Sequence, residues 1–226
     1  MKVTFYGHAS FVVETAGKTL VFDPFITPNE KASHVDISAI RADYILLSHG
    51  HADHVADVEA IARASNAKVI SNFEVVSWFG QKGIEGHPMN HGGKWRFDFG
   101  TVKYVNAVHS SSMPDGSYGG NPGGFVVWND EGCFYFAGDT ALTEDMKLIP
   151  MTCPRLDFAI LPIGDNFTMD AADAALAAEF VQCDHVIGCH YDTFPYIEID
   201  HEAARAAFAK RGKKLTLLAI GESVEF

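Results

Sequence analysis

Within six residues, His49-Gly50-His51-Ala52-Asp53-His54, the chain carries three imidazoles and a carboxylate. With 11 histidines in 226 residues, a run of this kind has a chance expectation of roughly 0.002, which guards against a false motif match. The run directly follows Tyr44-Ile45-Leu46-Leu47, a short apolar stretch of the kind a buried strand gives. A histidine-rich surface turn would leave unexplained why so many neutral nitrogens stand where a strand fixes them. Imidazole and carboxylate suit zinc, manganese, nickel or iron, and a loop anchored on a strand can hold them convergent. Metal binding is the reading that uses all four side chains.

One ion needs three or four protein ligands and two need six or seven, so further donors are expected downstream. His109, Asp139 and His190 each follow an apolar, strand-like run, as His49 does. A lone histidine or aspartate at a strand end is commonly a turn residue, but together with the first motif these three complete a ligand set if the strand ends share one rim.

The elements that must position them read as follows. Val3 and Phe5, Phe11 and Val13, and Leu20 and Phe22 alternate as an antiparallel meander, with Ala16-Gly17 at a turn. A helix over 57–64 and a strand at Lys68-Val69-Ile70 continue as a βαβ-like passage. The second half opens with a hairpin, Trp95 to Phe99 and Val102 to Val105, turning at Gly100-Thr101. Residues 110–124, rich in Ser, Gly and Pro, form a loop expected on the substrate side. Apolar runs at Cys133–Ala137, Phe158–Pro162 and Val186–Cys189 follow. A helix starting near Asp170 buries Ala174, Leu176, Ala177, Phe180 and Val181, and a last helix, about Glu202 to Arg211, stops at Gly212. Both halves follow one plan, so two packed sheets covered by helices fit better than one open sheet, in a single domain over 1–226.

Composition sets the outer limits. With 47% hydrophobic and 20% charged residues the chain can bury a substantial core, and the net charge of −12 works against nucleic acid and anionic membranes. No apolar run approaches the ~20 residues of a bilayer span, and no signal peptide is visible. The four cysteines form no CxxC pair. A cytoplasmic protein without disulfides is expected.

The order of His49 to His54, His109, Gly138-Asp139-Thr140 and His190 resembles the five-motif signature of the metallo-β-lactamase superfamily over nearly the whole chain. Five stretches look more narrowly like small bacterial and archaeal metal-dependent hydrolases related to ascorbate-phosphate lactonases. They are Gly7-His8-Ala9-Ser10-Phe11, Phe22-Asp23-Pro24-Phe25, His87-Pro88-Met89, Pro162 to Met169 and His190 to Pro195. The resemblance implies an α/β fold, a four-layer αββα sandwich of two mixed sheets packed face to face with helices outside. It also implies a dinuclear centre: His49, His51 and His109 on one ion, Asp53, His54 and His190 on the other, and Asp139 bridging.

Ions in such a site activate a water and stabilise negative charge on the attacked group, with Asp53 orienting the nucleophile. No GxSxG elbow or phosphate-binding GK[ST] loop is present. His8 follows a strand as the ligands do, and its role is open between an extra ligand, a substrate contact, a leaving-group acid and a buried hydrogen-bonded histidine. Asp23 and Asp165 are expected to orient ligands or their loops. His34, His87, His91, His185 and His201 are taken as structural, and Cys189 is expected to point away from His190.

The function these readings define is metal-dependent hydrolysis of a small ester, lactone or phosphoester, using one or two divalent ions, zinc first, with manganese, nickel or iron also accepted. The expected partners are a small-molecule substrate and, in second place, further copies of the same chain. The alternatives are a di-iron redox protein, disfavoured because such relatives carry glutamate at the position of His51 and an attached flavin module, and a non-catalytic metal-binding protein.

Overall fold

A computed structural model describes residues 1–226. The strands are β1 (Lys2–Phe5), β2 (Phe11–Thr15), β3 (Lys18–Phe22), β4 (Tyr44–Leu46), β5 (Lys68–Asn72), β6 (Gly86–Met89), β7 (Lys94–Phe97), β8 (Gly100–Asn106), β9 (Gly123–Asn129), β10 (Gly132–Phe136), β11 (Phe158–Pro162), β12 (His185–Cys189), β13 (Lys214–Thr216) and β14 (Ser223–Glu225). The α-helices are α1 (Ala52–Val55), α2 (Val58–Ser65), α3 (Phe73–Gly80), α4 (Ile149–Thr152), α5 (Ala171–Phe180) and α6 (His201–Ala209).

Two seven-stranded sheets result, in the orders β14-β1-β2-β3-β4-β5-β6 and β13-β12-β11-β10-β9-β8-β7. In the first, β14 to β3 pair antiparallel and β3 to β6 parallel. In the second, β7 to β10 pair antiparallel and β10 to β13 parallel. The two halves thus repeat one plan, as their patterning suggests.

Strand alternation builds the layers. Phe11, Leu20 and Phe22 of the first sheet meet Phe125, Phe134 and Phe136 of the second in one core between the sheets, and Phe22 lies 4.8 Å from Phe136. The residues between them point the other way. Val21 and Ile45 pack under Val58, Ile61 and Phe79 of α2 and α3, while Tyr135 and Leu161 pack under Ala174 and Ala178 of α5 and Phe208 of α6. Three apolar layers separate four layers of secondary structure, the αββα sandwich expected. No helix is long and apolar enough to cross a membrane.

Several local expectations are corrected. The β7–β8 hairpin turns at Asp98-Phe99, not Gly100-Thr101, because Phe97 pairs with Gly100; Phe99 then drops its ring into the inter-sheet core. On α5 the fully buried face is Ala174, Ala175, Ala177 and Ala178, with Leu176 and Phe180 only half-buried. The β6 strand carries Pro88 at the sheet edge, where a missing N–H breaks no ladder. The expectation for Cys189 needs no correction: its thiol lies in the inter-sheet core, and burial raises its pKa well above the usual range.

Candidate metal centre

All the chemistry-bearing residues leave the same edge of the sandwich. β4 runs into Leu47 and Ser48, both buried, and then into His49. The short helix α1 starts at Ala52 behind His51, with His54 N–H donating to His51 C=O at 2.9 Å, so one helical turn brings His51, Asp53 and His54 round to one side. Asp57 ties the start of α2 to the chain after β3 by accepting from Ile26 N–H at 2.6 Å and Thr27 N–H at 2.9 Å. His109, Asp139 and His190 come from the ends of β8, β10 and β12 in the other sheet. The approach is tight. A Cβ on Gly138, whose φ is +62°, would collide with Ser48, and one on Gly164 would collide with the carbonyl of His190.

Asp139 is the centre of the cluster. Its Oδ2 lies 3.0 Å from His190 Nε2, 3.2 Å from His54 Nε2 and 3.6 Å from His109 Nε2. Around it, the ligating atoms of His49, His51 and His109 lie within 4.8 Å of one another, as do those of His8, Asp53, His54 and His190. A third grouping joins His49 and His54 with Asp23, so the structure brings all seven residues expected as ligands into one continuous cluster and adds His8.

Outer hydrogen bonds fix which nitrogen faces inward. His54 Nδ1 lies 2.7 Å from Asp23 Oδ2, and His49 Nδ1 lies 2.9 Å from Ser48 Oγ. With Nδ1–H donated outward, each ring presents Nε2 to the cluster: His49 with the lone pair a cation needs, and His54 once it gives up the second proton that Asp139 and Asp23 favour. Asp23 is itself buried and held by Ser48 N–H at 2.8 Å and by the Ser48 hydroxyl, so it has the orienting role expected of it. Asp165 does not: it is exposed, at φ +60°, and accepts from Asn166 N–H within its own turn.

His8 is 1% exposed. Its Nε2 lies 3.1 Å from Asp53 Oδ2, a carboxylate oxygen that can only accept, and its Nδ1 lies 2.9 Å from Thr193 Oγ1. The ring packs between Phe25 and Phe194, at 5.5 and 5.4 Å. It stands behind Asp53 and outside the cleft lining, so neither a leaving-group acid nor a substrate contact suits its place. Burial, followed by the nearby His190, lowers its pKa to about 4.

The cluster's electrostatics call for positive charge. Burial lowers the pKa of His49, His51 and His109, keeping them neutral. His54 goes the other way: burial opposes its charge, but Asp139 and Asp23 on either side outweigh that and raise it well above 6.5. Burial likewise opposes ionisation of Asp139, and His190 and His54 outweigh it, holding the carboxylate charged. His54 Nε2, Asp139 Oδ1 and His190 Nδ1 are buried with no hydrogen-bond partner. Such orphaned atoms in a native core call for an explanation, and a nitrogen- and oxygen-rich set converging on them fits one or two divalent cations.

A pH dependence follows for the metal-free protein. The unfolded chain protonates His8 near 6.5 but the folded chain only near 4, so stability is lost as the pH falls from 6.5 toward 4, by roughly 2 kcal/mol at pH 5 from His8 alone. His49, His51 and His109 act in the same sense. His54 acts oppositely, its contribution being complete below 6.5 and lost as the pH rises through its folded value. Urea unfolding of chelator-treated protein should show a lower midpoint at pH 5 than at pH 7; an equal or higher midpoint would contradict this balance.

A cleft of about 550 Å³ opens over the cluster, lined by His51, Asp53, His109, Asp139 and His190, by Ser110, and by Phe167, Phe194, Pro195 and Tyr196. Of the loop over 110–124, only Ser110 reaches it. Ser111 instead accepts from Gly50 N–H at 3.1 Å and donates to Gly119 C=O at 2.9 Å, bracing the His49–His54 turn, while Asp115, Gly119 and Asn121 bond to Trp78 and Asn72. Sequence reasoning assigned nothing to Ser48, Thr193 or the aromatic wall. Ser48 could have been suspected from its place between a buried strand and His49, and Thr193, Phe167 and Phe194 lie in stretches already carrying the resemblance.

A two-sheet sandwich with this histidine and aspartate cluster at one edge defines the class. Residues 2–190 match the family model described as "Beta-lactamase superfamily domain", and the chain belongs to that family. Within it, the chain is 60% identical to a UPF0173 metal-dependent hydrolase of Flavobacterium johnsoniae and 58% identical to one of Christiangramia forsetii, each over 100% of both chains. Among solved structures, Igni18, described as a novel metallo hydrolase from the archaeon Ignicoccus hospitalis, superposes with a TM-score of 0.88 at 32% identity, covering 100% of this chain and 98% of that one. The chain is a member of this group of metal-dependent hydrolases.

Proposed function

We propose that this chain hydrolyses a small ester, lactone or phosphoester with two divalent ions, zinc foremost, held by His49, His51 and His109 and by Asp53, His54 and His190, with Asp139 shared. The observation that carries the proposal is the convergence of His54, His109 and His190 Nε2 on the buried Asp139 Oδ2 beneath an open cleft. Bound there, the ions would supply an activated water at neutral pH and charge stabilisation at the attacked group.

The chain's residues do the rest. Asp53 is partly exposed at the cleft and is placed to accept a proton from the attacking water. His8, held by Thr193, fixes the Asp53 carboxylate by donating to it, and at neutral pH it stays uncharged and keeps that N–H. Asp23 and Ser48 hold the rings of His54 and His49. Ser110 offers a hydroxyl at the cleft wall, 3.4 Å from His51 Nε2. Burial of His49, His54, Asp139 and His190 leaves the cluster open to water from the cleft side alone.

Chelator-stripped protein, reloaded in parallel with zinc, manganese or nickel, should turn over members of a panel of lactones, esters and phosphodiesters only when metal is restored. Silence across the panel with metal bound in full would overturn the hydrolytic reading, and oxygen uptake by iron-loaded protein would favour a redox role.

A further inference from the structure

We infer, building on that hydrolytic reading, that the cleft takes an uncharged carboxylic ester or lactone with an apolar arm, and that Phe167 and Tyr196 grip the arm. The cleft has two unlike walls. One is the donor cluster; the other is Phe167, Phe194, Pro195 and Tyr196, from the loops that follow β11 and β12. Beyond the cluster the only polar side-chain groups are the hydroxyls of Ser110 and Tyr196, and no lysine or arginine lines the cleft.

Anionic groups such as phosphates and carboxylates are commonly gripped by arginine forks or lysine ammonium groups. This wall offers none, and the charged groups the chain does present there, Asp53 and Asp139, are carboxylates. A substrate with extra negative charge would have to place all of it on the ions. A neutral carbonyl asks for much less.

The aromatic wall supplies the complementary half. Phe167 and Tyr196 are 49% and 77% exposed, and their rings stand edge to face at 6.4 Å, a favourable geometry for an aromatic pair. Two large rings in water, beside a polar cluster in one concavity, form the mixed lining typical of small-molecule sites. The backbone aims one of them: Asp165 and Asn166 are both left-handed, at φ +60° and +52°, immediately before Phe167. Strain of this sort collects at ligand-holding segments. Phe194 is already committed to His8 and Phe25, so it forms the fixed floor on which an arm would rest.

In the reaction, water's oxygen joins the acyl carbon, the acyl C–O bond breaks, and the released alkoxide oxygen takes up a proton. No oxidant or other co-reactant is needed. The arm contributes by holding the carbonyl over the cluster.

The test uses the metal-loaded protein. Its kcat/KM for γ-nonalactone should exceed that for γ-butyrolactone by about 10-fold or more, and phenyl hexanoate should be cleaved about 100-fold faster than phenyl phosphate. The double variant Phe167→Ala, Tyr196→Ala should reduce the chain-length preference to about 2-fold while retaining metal content and circular dichroism. Calorimetric titration with 4-phenyl-2-butanone, an uncharged ketone with no bond to hydrolyse, separates the two readings. If the ketone binds, and binds about 10-fold more weakly to the double variant, the apolar seat stands even where no ester is cleaved and the hydrolytic reading fails. If phosphoesters are the better substrates, or the ketone binds both proteins alike or neither, the inference is overturned while hydrolysis itself survives.

Discussion

Replacement of Asp139 by alanine should remove at least one metal equivalent per chain and lower kcat/KM on the order of 10³-fold, the scale expected when a preorganised charge-stabilising group is lost. Asp139 is 2% exposed, and its Oδ2 lies within 3.6 Å of imidazole nitrogens from His54, His109 and His190. Those three histidines come from three separate segments, and the nearest other carboxylate, Asp53, lies 3.9 Å from His54 and His190 Nε2 and is tied to His8. The companion substitution Asp139→Asn would keep the shape and remove the charge, separating packing from electrostatics. Metal analysis by plasma emission together with kinetics on any substrate of the wild type checks the result. Full metal content in the alanine variant, with kcat/KM within 10-fold, would show that Asp139 is not shared between the ions.

The second large effect concerns a residue that touches neither cleft nor substrate. Asp23→Asn is expected to weaken metal binding about 10- to 100-fold, as loss of an orienting partner does, and to destabilise the metal-free fold by about 3–5 kcal/mol, the usual cost of breaking a buried ion pair. The sign follows from its contacts. Its Oδ2 receives His54 Nδ1 and the Ser48 hydroxyl, while its Oδ1 receives Ser48 N–H. Its backbone carbonyl also receives the Ser10 hydroxyl at 2.8 Å, a contact the substitution leaves in place. An amide there frees His54 to adopt the other tautomer and turn a hydrogen, instead of a lone pair, toward the cluster. Competition against a chromogenic chelator gives the affinity and thermal melting gives the stability. An affinity within 2-fold of wild type would show that His54 needs no help to face inward.

Much of this site was legible because strand patterning carries it. β4, β10 and β12 are largely apolar runs and β8 alternates, and each ends within three residues of a histidine or aspartate, so period and position spoke together. How the donors divide between two ions came from the resemblance alone, since spacing along a chain says nothing of which loops meet. The aromatic wall was illegible for the same reason: Phe167 and Tyr196 are neighbours only because β11 and β12 are parallel partners, so the loops after them lie side by side. α3 was missed because it follows β5 without a linker, capped by Asn72 accepting from Val75 N–H, and its eight residues show too little periodicity. Asp165 misled because a carboxylate beside a strand end looks the same in sequence whether it faces a metal or closes a turn.

The division of donors between the sheets has a mechanical side. His49, His51, Asp53 and His54 hang from one sheet, and His109, Asp139 and His190 from the other, so any ion held by either cluster is stitched to both. The grease between the sheets holds them together along their length, whereas the ions would rivet them at a single lip. A chain whose ions were drawn out would keep its layered body and lose its fastening at that lip, directly beneath the open cleft.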